Sequence, residues 1–98
     1  MIILNLEEFN YNNFLLNIKY KQYKKIVNKF EKYIVIQNVG ITPYLIDKYI
    51  EALINVNRTY DAYKNLKILI KHFPKYYDYR KLGELFIKCG ALTDLFEL

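Results

Sequence analysis

Apolar residues return every three or four positions along this chain, and no stretch alternates with period two for long enough to make a strand. The pattern predicts an all-α protein of six amphipathic helices. Asn5 followed three positions later by Glu8 forms a capping box that opens a helix with the apolar face Tyr11, Phe14, Leu15 and Ile18. A second helix over 21–37 carries Tyr23, Ile26, Val27, Phe30, Tyr33 and Ile34 on one side, and the two are expected to pair as a hairpin. Gly40 suits a left-handed helix end, while Thr42-Pro43 supplies an N-cap with proline at the first helical position, where its missing N–H costs nothing. The third helix then presents Ile46, Tyr49, Ile50 and Leu53, and is expected to stop near Asn57. Thr59 is positioned to cap a fourth helix that buries Ala62, Leu66, Leu69, Ile70 and Phe73 before Pro74 closes it. A fifth helix runs from Tyr79 to Lys88, Gly90 breaks it, and Ala91 to Leu98 opens a sixth.

Short links between these helices suggest three antiparallel hairpins, at about 6–38, 43–74 and 76–98, within one domain spanning 1–98. An offset of 33 residues supports repetition. It superposes Ile46 on Tyr79, Tyr49 on Leu82, Ile50 on Gly83, Leu53 on Phe86, Asn57 on Gly90 and Ala62 on Leu95. Core positions fall on core positions and turns on turns.

Residues 43–98 resemble the tetratricopeptide-repeat family. Tyr79-x-x-Leu82-Gly83-x-x-Phe86 followed by Gly90 matches the first half of that signature, and Ala62-x-x-x-Leu66 with Pro74 matches the second half. The stretches GITPYLIDKYIEAL and FIKCGALTDLFEL look similar to the related pentatricopeptide repeats, which bind single-stranded RNA. At that family's base-reading positions stand Asp47, Arg80 and Lys75, of which Arg80 and Lys75 depart from its small polar pairs. The resemblance therefore concerns the fold more than that activity. It implies a short right-handed α-solenoid of about three stacked hairpins, in which first helices line a concave groove and second helices form the outer surface. The groove would then show Tyr44, Asp47, Glu51, Ile54 and Asn55 from one unit, and Tyr77, Arg80, Glu84, Ile87 and Lys88 from the next. Asp47 and Glu51 would repel a carboxylate there, so the expected guest is a basic or mixed peptide.

The charge distribution adds a second candidate surface. A net charge of +5 is built from segments carrying −2 over 1–18, +5 over 19–38, 0 over 39–58, +3 over 59–75 and −1 over 76–98. Lys21, Lys25, Lys29 and Lys32 recur along the second helix, and Lys64, Lys67, Lys71 and Lys75 along the fourth. Such stripes can hold RNA or another polyanion by displacing its counterions. They are equally the solvated faces expected of a chain rich in Lys, Ile, Tyr and Asn, the residues of A/T-rich codons. Helical spacing assigns Tyr23, Tyr33 and Tyr49 to the core, whereas Tyr76 and Tyr77 after Pro74 are expected to be exposed.

Chemistry finds little foothold. The chain has no Ser, one Cys at 89, one His at 72 and no phosphate-cradling Gly-rich loop, so no enzyme, cofactor or metal site is expected. His72 complements a helix C-terminus and Cys89 serves as a small apolar filler. No apolar run approaches membrane-spanning length, and the lone cysteine and MIILNLEE start fit an intracellular protein, cytoplasmic or organellar, that is not secreted. The expected function is a non-enzymatic interaction module, a subunit or adaptor of a larger assembly such as an organellar ribonucleoprotein, that binds a protein partner through its groove or an end face. The alternatives are a free-standing RNA-binding repeat protein and a small viral or bacterial regulatory or immunity protein. Leu92, Leu95, Phe96 and Leu98 form the expected end face, an unfinished stack that a partner or a second copy would cover.

Overall fold

The computed structural model describes residues 10–35 and 42–90, with side chains for 10–32 and 42–90. Every regular element among them is helical. They are α1 (Tyr11–Lys19), α2 (Tyr23–Lys29) continuing into a π-helical turn (Phe30–Val35), α3 (Pro43–Asn55), α4 (Thr59–His72) and α5 (Tyr79–Lys88). The Asn5–Glu8 capping box, Gly40, the sixth helix and the end face at Leu92, Leu95, Phe96 and Leu98 lie outside the described residues, as do the Tyr33 and Ile34 side chains.

Helix starts follow local chemistry. Asn10 caps α1 by accepting from the Asn13 N–H at 3.0 Å, Thr42 caps α3 by accepting from Leu45 at 3.2 Å, and Asp78 caps α5 by accepting from Lys81 at 2.8 Å. Each satisfies an amide that the first helical turn leaves without an intrahelical partner. Thr59 does not cap α4 as expected: it is the first helical residue, and the Arg58 side chain at the cap position makes no capping hydrogen bond. That guanidinium is directed at carboxylates instead. Asn57 and Gly90 end α3 and α5 with φ of 64° and 74°, as expected of residues tolerant of the left-handed region. Lys21 also has a positive φ of 53°, and it turns the chain between α1 and α2 rather than starting a helix.

The core is drawn from all five helices. Phe14, Ile26, Val27, Phe30, Tyr49, Ile50, Leu53, Ala62, Leu66, Leu69, Leu82 and Phe86 are buried, as are Leu45, Ala52 and Leu85, which the sequence pattern did not single out. Consecutive helices pack on each other, α1 on α2, α2 on α3 and α3 most extensively on α4. Ala62, fully buried, lets α4 approach its neighbours closely. Gly83 is also buried, on the core side of α5.

Three apolar expectations are corrected. Tyr11 is exposed at the start of α1, Phe73 is exposed because α4 ends at His72 and the backbone leaves helical geometry there, and Tyr79 is 83% exposed. Tyr79 is the first residue of α5 and points away from the face built by Leu82, Gly83, Leu85 and Phe86. The half-buried Ile46 and the exposed Tyr79, which the 33-residue offset superposes, thus occupy different environments.

The continuous helix expected over 21–37 is also corrected. It starts at Tyr23 and widens into π geometry at Phe30. The π turn places two consecutive residues against α3: the Phe30 ring stacks on Tyr49 at 4.0 Å with planes 7° apart, and Glu31 accepts the Tyr49 hydroxyl proton. Local insertions of this kind shift the register of side chains without ending a helix.

Candidate functional site

Between α3 and α5 lies a cleft of about 220 Å³ lined by Asp47, Lys48, Glu51, Ile54, Asn55, Lys81, Leu85 and Lys88. Helical spacing explains the two walls. Asp47, Glu51, Ile54 and Asn55 follow one another at four, three and one positions along α3, and Lys81, Leu85 and Lys88 at four and three along α5, so each set shares a face. Of the expected groove residues the structure brings together Asp47, Glu51, Ile54, Asn55 and Lys88. Arg80, Glu84 and Ile87 are exposed outside the cleft lining, where Arg80 faces Glu84 at 3.9 Å along the helix. Tyr44 is likewise outside it, with the Lys48 ammonium 5.6 Å from its ring. Lys48, Lys81 and Leu85 were not anticipated: fixing the α5 face needs the knowledge that Leu82 and Phe86, not Tyr79, point to the core.

The acidic wall is already engaged. Tyr77 donates its hydroxyl proton to the Asp47 carboxylate, which draws the loop after α4 onto α3 and leaves Tyr77 half-buried instead of exposed. Burial first, and the Asp47 carboxylate second, push the Tyr77 phenol well above its ordinary range, so it remains a donor at every physiological pH. Tyr76 packs edge-on against the Tyr77 ring at 4.9 Å. Glu51 pairs with Lys48 at 3.4 Å. Burial disfavours the Lys48 ammonium, but Glu51 and Asp47 outweigh it and raise the group above its ordinary value. Asn55 donates to the Glu51 backbone carbonyl at 2.9 Å.

Lys81 and Lys88 are left as the cations of the cleft with no ion pair among the described residues. Seven residues apart on α5, they stand about 10.5 Å from each other along the axis. The cleft therefore offers positive charge, and the repulsion of carboxylates expected from Asp47 and Glu51 is offset by Tyr77 and Lys48.

A second polar cluster ties the helices together. Arg58 holds Glu31 through two nitrogens at 3.2 and 2.9 Å and reaches Asp61 at 2.9 Å, and Lys64 approaches Asp61 at 3.4 Å. The bond from Arg58 holds Glu31 below its ordinary range, and the same guanidinium lowers Asp61. Tyr49 is raised above its usual range by burial and by its bond to Glu31.

The lysine stripes fare differently. Lys64, Lys67, Lys71 and Lys75 are all exposed, along and just beyond α4. On the other stripe Lys25 and Lys32 are exposed, but Lys21 belongs to the turn and Lys29 folds back to donate to the side chains of Asn13 and Asn17, the latter at 2.6 Å. Asn17, a buried polar side chain, donates in turn to Gln22 at 2.7 Å. His72 is exposed at the C-terminal end of α4, and Cys89 is half-buried, its thiol raised by burial. Among the described residues no three His, Cys, Asp or Glu side chains are grouped to hold a metal ion, and no helix is long and apolar enough to cross a membrane.

No family model matches the chain, and no curated protein or solved structure matches it.

Proposed function

We propose that the protein is a non-enzymatic interaction module, a subunit or adaptor of a larger assembly, whose α3–α5 cleft takes an acidic segment of a protein partner. The observation that carries this reading is the pair Lys81 and Lys88, facing a cleft whose own carboxylates are occupied by Tyr77 and Lys48. Two lysines two helical turns apart on α5 suit a guest with acidic side chains at the same spacing. Leu85 and Ile54 between them supply the apolar floor that such recognition needs. The packing of α1 on α2, α2 on α3 and α3 on α4 supports a stack of tetratricopeptide-like hairpins as the frame.

Fluorescence anisotropy with labelled peptides tests it. A Glu/Leu-rich peptide should bind, a Lys/Leu-rich peptide of equal length should not, and Lys81→Glu with Lys88→Glu should invert that preference. Tighter binding of the basic peptide to the unaltered protein would overturn the reading.

A further inference from the structure

Beyond the cleft, the outward face of α4 carries an unusual combination. Tyr60, Lys64, Lys67, Ile68 and Lys71 fall within about 100° of arc on this helix, opposite the buried Ala62, Leu66 and Leu69. No Asp or Glu occurs between Ala62 and Tyr77. Asp61, at the edge of the face, is held by Arg58 and Lys64. Amid these cations Ile68 is 49% exposed and Tyr60 70% exposed. Past the helix end His72, Phe73, Pro74, Lys75 and Tyr76 line a separate shallow hollow.

We infer that this face docks on an anionic lipid surface, its lysines at the headgroups and Ile68 pressed into the acyl boundary. Lysines can sustain this arrangement because their alkyl stems lie along apolar surface while the ammonium stays in water. The Lys67 and Lys71 stems flank Ile68 and line one hollow together with Ile68 and Ile70. A nucleic acid would be served by the cations and by the Tyr60 ring, over which Lys64 sits at 4.9 Å. It gives no role to a protruding isoleucine between them. A membrane interface does, since attraction to anionic lipid and insertion of apolar side chains reinforce each other.

Co-sedimentation with phosphatidylcholine vesicles, with and without phosphatidylserine, tests the inference. Binding is expected only with phosphatidylserine and should weaken as salt rises. Lys71→Gln should reduce partitioning about fivefold, and Ile68→Asn about tenfold, with unchanged melting temperatures. These substitutions lie outside the α3–α5 cleft, so acidic-peptide binding should persist in both. The inference is overturned if phosphatidylserine vesicles do not bind, or if Ile68→Asn binds them as the unaltered protein does. It is overturned equally if poly-uridylate displaces the vesicles and its own binding is insensitive to Ile68→Asn, which would mark the face as a simple polyanion site.

Discussion

Arg58 grips Glu31 with two guanidinium nitrogens at 3.2 and 2.9 Å, joining residues 27 positions apart. The bond ties the π turn after α2 to the α3–α4 link, and Tyr49 on α3 donates to the same carboxylate. Both partners are about 40% exposed, so the pair is worth far less than a buried one. Arg58→Lys, which cannot reproduce the planar fork, is expected to lose about 0.5–1 kcal/mol. Thermal melting should show a drop of a few degrees, and a double-mutant cycle with Glu31→Gln should return a coupling of the same size.

The same cluster sets the acid limit of the fold. Glu31 and Asp61 are both depressed below their ordinary values of 4.5 and 3.8, chiefly by hydrogen bonds from Arg58. A carboxyl group lowered in the folded state stabilises fully above its unfolded value, and that contribution disappears as pH falls through the folded value. Urea midpoints should therefore stay level above about pH 5 and decline below the ordinary Glu and Asp values. In Glu31→Gln the decline should be shallower, and an identical slope would remove Glu31 from this role.

Tyr77→Phe should separate the cleft's two walls. It deletes a hydrogen bond to a charged acceptor, a loss of about 1.5 kcal/mol at the lower end of the usual range because the pair is only half-buried. It also leaves the Asp47 carboxylate without that donor, so that its charge acts on the cleft unattenuated. Acidic-peptide affinity should then fall although neither lysine has changed, and binding that is unaffected would show that Asp47 does not sense Tyr77.

Periodicity made the five helices legible, together with the Thr42 cap, the Asn57 and Gly90 breaks and most of the buried face, because each depends on residues a turn or less apart. What escaped it depends on side chains meeting across elements. Lys29 reads as one of four equivalent lysines until Asn17 is seen buried beside it. Phe30 and Glu31 belong to an unbroken helical pattern until Tyr49 draws both toward α3. Within the cleft, Asp47 and Glu51 were legible as acids, but the hydrogen bond that engages Asp47 comes from Tyr77, 30 positions away. The rotation of α5 that brings Lys81 rather than Arg80 to the cleft is set by Leu82 and Phe86 in the core, a tertiary choice.

Lys29 provides a direct contrast with the α4 lysines. Its ammonium donates to Asn13 and Asn17 and so joins α1 to α2. Lys29→Ala should cost about 1 kcal/mol, the ordinary net value of a hydrogen bond, while leaving vesicle binding intact. Lys71→Gln should do the reverse. Measuring melting and partitioning on both variants checks the distinction, and equal effects on both readouts would contradict it.

Ala62 tests the packing on which both surfaces depend. It is fully buried on α4, flanked along the same face by Leu66 and Leu69, and α4 lies against α3 with its own buried Leu45, Ala52 and Leu53. A methyl group fills that position, so Ala62→Leu inserts three further carbons into a closed interior. Overpacking of this kind costs about 1–3 kcal/mol, and in a chain of this length each kilocalorie lowers the melting temperature by about 4–8 °C. Ala62→Gly separates crowding from helix propensity, because it removes a methyl group and lowers intrinsic helix stability by about 1 kcal/mol without adding volume. Calorimetry should therefore place both variants below the unaltered protein, with Ala62→Leu the lower of the two. An unchanged melt for Ala62→Leu would mean that α4 does not meet its neighbours at this point.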